Sequence, residues 1–267
     1  MPPDPTTARE LLDFYLEAGA DALVGEEPVD RFAEIVPAPR AAAAPAAPKA
    51  AMAAQRPVVV APTLAPAAPD TAAMEAREAA KSAATLDELR GILERFDGCA
   101  LKATATRLVF ADGNPEARLM LVGEAPGRDE DIEGLPFVGR SGKLLDRMLA
   151  AIGLDRSSVY IANVVPWRPP GNRTPTPQET QVCLPFITRQ IELANPDVLV
   201  CLGGPSAQTL LGQSGITKIR GRWFTFQSGA REIRALPTFH PAFLLRSPLQ
   251  KRFAWRDFLA IKKALSG

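Results

Sequence analysis

From residue 118 onward, short apolar runs alternate with longer stretches in which large apolar side chains recur every three or four positions. LMLVGE, VYIANVV, DVLVCLG and IRALPTF lack the wet-face alternation of a half-exposed strand, so each predicts a strand buried on both sides. Between them SGKLLDRMLAAIG, TPTPQETQVCLPFITRQIELA and PSAQTLLG predict helices, the second with Pro177 and Glu179 suited to its first turn. Strands alternating with helices imply βαβ units, hence an α/β fold with a mainly parallel sheet covered on both faces. In such sheets the functional loops lie beyond the carboxyl ends of the strands. Glu124, Asn163, Gly203 and His240 all stand at such ends.

Upstream the pattern weakens. Leu11, Leu12, Tyr15, Leu16 and Leu23 recur at roughly helical spacing and predict an amphipathic helix within residues 1–35. Residues 36–73 are Ala/Pro-rich with few large side chains to bury, which predicts a tether. A second helix is predicted from about residue 74 to 96, opening a globular domain over 74–267, with Thr85 and Asp87 before a leucine-bearing run.

Composition adds bounds. The 267 residues, 46% hydrophobic and 23% charged, suffice for one large domain with a full core. No run of about 18 apolar residues predicts a membrane span. The N-terminus is acidic and polar where a secretion signal is basic and then apolar. Cys99, Cys183 and Cys201, an odd number at long spacings, suit a reducing compartment, so a cytoplasmic protein is expected. The net charge of +1 hides an asymmetry: residues 205–267 carry eleven Lys/Arg against two Asp/Glu. Such a surface is either a set of solvated helix faces or a patch for a polyanion.

The stretch GEAPGRDEDIEGLPFVGRSG carries the candidate chemistry. Its glycines do not make a GxGxxG fingerprint and no GK[ST] follows, while its carboxylates would repel a pyrophosphate. A carboxylate is useful instead where positive charge develops or a water must be oriented, as at an anomeric carbon passing through an oxocarbenium-like state. Glu124 and Glu130 are the candidates, with Asp129 and Glu133 equally readable as solvated loop residues. His240 is the only histidine, which excludes two-imidazole mechanisms, and at a strand end it is placed to donate to an oxygen gaining negative charge. Asn163 offers a donor and an acceptor to a base edge, or caps a loop. Phe137 is either core or a platform for a planar ring.

Three blocks, GEAPGRDEDIEGLPFVGRSGKLLDRML, NVVPWRPPGNRTPTPQE and HPAFLLRSP, resemble in content and order the signature blocks of the family 4 uracil-DNA glycosylases, and the similarity runs from about Cys99 to the C-terminus. The resemblance implies a three-layer α/β/α sandwich on a four-stranded, mainly parallel sheet. It also implies an enzyme that flips deoxyuridine out of single- or double-stranded DNA and hydrolyses its N-glycosidic bond.

Carried to matching positions, the resemblance implies that Gly123, Glu124, Ala125, Pro126 and Gly127 line the pocket, and that Glu130 positions or activates water. Phe137 would stack on the base, Asn163 bond its pairing edge, and His240 face its O2. Asn172 would support the site. Leu244, Leu245 and Arg246 would enter the duplex, with Lys251 and Arg252 in the basic quarter holding phosphates. Family members hold a 4Fe–4S cluster with four cysteines. Here Cys99 and Cys183 match two ligand positions, but Phe96 and Trp167 stand at the others, so the cluster is expected to be absent, with no other cofactor or metal. The alternative is a non-hydrolytic capturing protein of the same superfamily. Its histidine-bearing loop would fall near PPGNRTPTP, which has neither histidine nor lysine. A monomer is expected, with the tethered helix docking a protein partner.

Overall fold

The computed structural model describes residues 69–229 and 231–266, so the helix expected within 1–35 and most of the tether lie outside the described residues. Helix α1 (Pro69–Ser82) begins inside the segment expected to be tether and buries Ala72 and Ala73, so the packed body starts ahead of residue 74. The single helix expected over 74–96 is two, α1 and α2 (Leu86–Arg95). Thr85 causes the break: its side chain accepts from the Glu88 amide while the Glu88 carboxylate accepts from the Ala84 amide, which restarts a helix.

All four expected strands are present: β2 (Leu119–Gly123), β3 (Tyr160–Asn163), β4 (Val198–Leu202) and β6 (Arg231–Thr238). Two further strands, β1 (Asp112–Gly113) and β5 (Phe224–Ser228), make the sheet six-stranded in the order β1-β3-β2-β4-β6-β5. The four expected strands are mutually parallel and central, while both additions pair antiparallel at the edges. Pro237 fits inside β6 because the β5 ladder ends at Ala235, so no donor is missed on that side.

Alternation along the central strands divides the core. Met120, Val122, Tyr160, Ala162 and Leu199 face one layer with α1, α2 and α5 (Pro177–Ala194). Leu119, Leu121, Ile161, Val198 and Val200 face the other, with α4 (Arg140–Ala151) and α9 (Lys251–Ser266). Strand residues one apart thus pack on opposite layers, which is why no polar alternation marks them. The sandwich is three-layered. Arg220 and Thr238 both bond Asp257, a buried carboxylate on α9, tying that helix to the end of β6. No described helix is long and apolar enough to cross a membrane.

Candidate active site

The carboxyl ends of β2, β3, β4 and β6 open into a crevice of roughly 690 Å³. Its walls are the loop after β2 with the short helix α3 (Arg128–Glu133), the turn after β3, the start of α6 (Gly204–Leu211), and α8 (Pro241–Arg246). Of the expected residues, Glu124, Ala125, Pro126, Gly127, Glu130, Phe137, Asn163, Asn172, His240 and Arg246 line it.

Gly123 lies behind that lining. A Cβ there would come within 2.4 Å of Asn163 Oδ1 and 2.7 Å of Phe137 Cζ, so the missing side chain lets an amide and a ring meet at the strand end. Phe137 itself has φ of 55°, a left-handed conformation costly for a side-chain-bearing residue. Arg156 holds it there, donating to the Phe137 and Pro136 carbonyl oxygens while bonded to Asp112 and Asp146. The Phe137 ring lies 5.4 Å from the His240 ring, the planes 30° apart. Gly142 completes the mount, since a Cβ there would stand 1.6 Å from the Phe137 carbonyl oxygen.

The two glutamates are in different states. Glu130 is buried, and its carboxylate accepts from the amides of Gly127, Val138 and Gly139, each at 3.1 Å. Both oxygens therefore accept from backbone amides of the glycine loop. Glu124 has no such partners: its Oε1 is buried without a hydrogen bond, and burial raises its carboxyl above the ordinary range. Asn163, 4% exposed, has the same property, with Oδ1 buried and unpartnered. These are the two orphaned buried side-chain oxygens or nitrogens among the described residues, and both belong to this crevice. Buried polar atoms normally have partners, so two orphans facing one cavity mark a place where a polar ligand belongs.

His240 caps α8, its Nδ1 accepting from the Ala242 amide at 3.1 Å. A backbone amide only donates, so Nδ1 carries the lone pair and the proton of the neutral ring sits on Nε2. Burial, reinforced by the Arg246 charge, pulls this imidazole down to about 4. Gly203 has φ of 97°, and a Cβ added there would stand 3.1 Å from His240 Cβ.

Other expected residues fall elsewhere. Asn172 is exposed at the rim and its amide oxygen accepts from Arg168. Leu244 is 1% exposed and packs with Phe239 and Ala254, because on α8 its position faces inward. Leu245 is half-buried, while Arg246, Lys251 and Arg252 are exposed. Arg156 went unforeseen, since no local pattern links it to Phe137. Ser141, Phe239 and Phe243 also line the crevice and carry no signal beyond their proximity to the quoted blocks.

Away from the crevice, Cys183 Sγ donates to Cys99 Sγ at 3.9 Å, which together with burial keeps the Cys183 thiol well above its usual range. Phe96 meets Phe186 edge-on with centroids 5.0 Å apart, and Trp167 is buried in the same cluster. Two thiols with an indole and a phenyl ring do not fit a 4Fe–4S cluster, which needs four ligands. Among the described residues no group of three or more His, Cys, Asp or Glu could hold a metal ion.

Comparison with known proteins agrees with this geometry. A profile of the Uracil DNA glycosylase superfamily matches residues 110–259. The type-4 uracil-DNA glycosylase of Archaeoglobus fulgidus is 42% identical over 182 residues, covering 66% of this chain and 92% of that protein. That of Thermotoga maritima is 43% identical over 169 residues, covering 61% and 86%. A type-5 uracil-DNA glycosylase of Thermus thermophilus is 34% identical over 122 residues, covering 40% of this chain and 55% of that protein. The match spans the sheet, the acidic glycine loop and the histidine-capped helix, and the chain belongs to the uracil-DNA glycosylase superfamily, within its family 4.

Proposed function

We propose that this chain is a DNA repair glycosylase that takes deoxyuridine out of the DNA stack and hydrolyses its N-glycosidic bond, releasing uracil and leaving an abasic site. The observation that carries the reading is the pair of orphaned oxygens, Glu124 Oε1 and Asn163 Oδ1, in one crevice. Uracil offers an N–H between two carbonyls. An asparagine amide, one acceptor and one donor, matches that edge. The Phe137 ring supplies an apolar face for the flat base.

Cleavage breaks the C1′–N1 bond with its electron pair leaving on the base, so negative charge reaches the uracil oxygens and positive charge the sugar. His240, neutral with its proton on Nε2, donates to the oxygen that gains charge. Glu124 faces the opposite need. Its carboxylate is poorly solvated and unpaired in the free crevice, so ionised it interacts more strongly with the cationic sugar than with the neutral substrate, which is how binding becomes catalysis. Water then adds its oxygen to C1′, keeping one proton as the new hydroxyl, and its other proton passes through solvent to the base anion. Glu130 holds the loop through its three amides. The exposed Arg246, Lys251 and Arg252 grip phosphates.

The same reading includes a chain without an iron–sulfur cluster, since only two of the four ligand positions carry thiols. It further includes a cytoplasmic monomer whose residues 1–35 dock a protein partner. The test is to incubate the full chain with single- and double-stranded DNA bearing one uracil and then treat with alkali. Breakage at the uracil position and not in a thymine control is expected. No breakage by folded protein refutes the assignment.

A further inference from the structure

A second hollow, of roughly 220 Å³, runs between α4 and α9 and shares no lining residue with the crevice. Leu144, Met148, Leu244, Ala254, Trp255 and Phe258 line it, and the exposed Arg147 and Lys251 stand at its edge. We propose that this groove docks a partner protein through an acidic segment carrying one large apolar side chain, the apolar group against Trp255 and the acids against Arg147 and Lys251. The proposal stands apart from the glycosylase reading.

Both helices have more apolar surface than the core takes up. Leu145 and Leu149 of α4 and Ile261 of α9 are buried in the sheet-facing layer, whereas Trp255 is 45% and Leu259 43% exposed, four residues apart and hence on one face of α9. Large apolar side chains exposed together mark a surface that binds something. The charge around them is one-sided. Helix α4 carries three Lys/Arg and α9 five, against one aspartate each. Neither aspartate is free to meet those cations: Asp146 is bonded to Arg156 at 2.8 Å, and Asp257 is buried against Arg220. Among the described residues no ion pair joins Arg147, Lys251 or Arg256 to an acid.

The chemistry of the groove selects its occupant. It is smaller than the roughly 300–1,000 Å³ of pockets that take a whole small molecule, and suits a single side chain. DNA phosphates would meet the cations but leave the apolar floor uncovered. An unpaired base would carry carbonyl and N–H groups into a hollow whose floor offers them no polar side chain, whereas a phenylalanine or leucine has none to desolvate. A membrane takes up apolar groups that protrude, and this apolar surface is concave. A second copy of the chain, joined face to face across a two-fold axis, would set cationic helices against each other. An acidic segment with one apolar anchor satisfies both the floor and the edge.

The probe is a short fluorescein-labelled peptide with one phenylalanine among aspartates, titrated with the full chain and followed by fluorescence anisotropy. Saturable binding is expected. Replacing the peptide's phenylalanine by serine, or its aspartates by asparagine, should each weaken binding about tenfold or more, as should Arg147→Glu and Trp255→Ala in the protein. Both protein variants should keep the wild-type melting temperature and rate of uracil release, since neither residue lines the crevice. No saturable binding, equal binding of the serine peptide, or equal binding by both protein variants overturns the proposal. So does displacement of the peptide by uracil-free single-stranded DNA that itself binds Trp255→Ala more weakly, which would give the groove to DNA. Anchor-dependent peptide binding by a chain that releases no uracil would uphold the docking site while refuting the glycosylase reading.

Discussion

Because His240 is the only histidine in the chain, its protonation can be followed without interference, and the structure makes a quantitative demand on it. Protonating the ring would add a proton to Nδ1, which already accepts from the Ala242 amide, and would place a cation in a desolvated site near Arg246. The folded ring therefore titrates at about 4, against 6.5 for the free side chain. As pH falls through 6.5 the unfolded chain takes up a proton that the folded chain refuses, so stability is lost between about 6.5 and 4 and the loss levels off below. At 1.36 kcal/mol per pH unit the full effect is about 3 kcal/mol. The assay has two arms. The imidazole resonance of the full chain, followed by NMR from pH 8 downward, should move only below about pH 5. Denaturant unfolding of His240→Asn, which keeps a side-chain acceptor at the helix cap, should lack this part of the acid-induced loss. A resonance with a midpoint near 6.5, or identical pH–stability slopes in the two proteins, would refute the neutral donor assigned to His240.

Further outcomes follow from the same geometry. Glu130→Gln puts a donor where three amides need acceptors and should lower stability by about 1–3 kcal/mol, whereas Glu124→Gln removes an unpaired buried carboxyl and should leave stability unchanged or higher while uracil release falls; urea unfolding beside rate measurement separates them, and equal stability losses would contradict the division of roles. Gly142→Ala forces a methyl against the Phe137 carbonyl and should cost about 2 kcal/mol or more in the same unfolding assay, so a variant as stable as wild type would refute the packing described. Protein purified without oxygen should contain no bound iron and show no visible absorbance, and iron in stoichiometric amount would overturn the reading of Phe96 and Trp167 as replacements for cluster ligands.

The central strands were legible because they are buried on both sides: LMLVG has no residue that must face water, so its apolar run is continuous and its ends abrupt. The edge strands were not. β1 is two residues, and β5 reads FTFQS, where alternation alone does not separate an edge strand from a loop. The break at Thr85 was present as a capping pair with Glu88, but the alanine-rich run before it and the leucine-bearing run after it both favour helix and outweigh one threonine. In the site, position along the chain brings the expected residues to one crevice but does not give their states. Glu124 and Glu130 both belong to one acidic loop, and only the fold shows that three amides converge on one and none on the other. Likewise HPAFLLRSPLQ offers three leucines, and which one faces the core depends on the phase of a single helical turn.

The central claim is that the orphaned Asn163 amide reads uracil in this crevice. The most direct measurement is quantification of the free base released from single-stranded DNA bearing one uracil, for the wild-type chain and for Asn163→Asp, each with its melting temperature. The account predicts one uracil per site from the wild type, and release slower by about tenfold or more from a variant that still folds, because a carboxylate has lost the amide's donor and repels the base's carbonyl. Release of uracil by Asn163→Asp at the wild-type rate, from an intact fold, would contradict it.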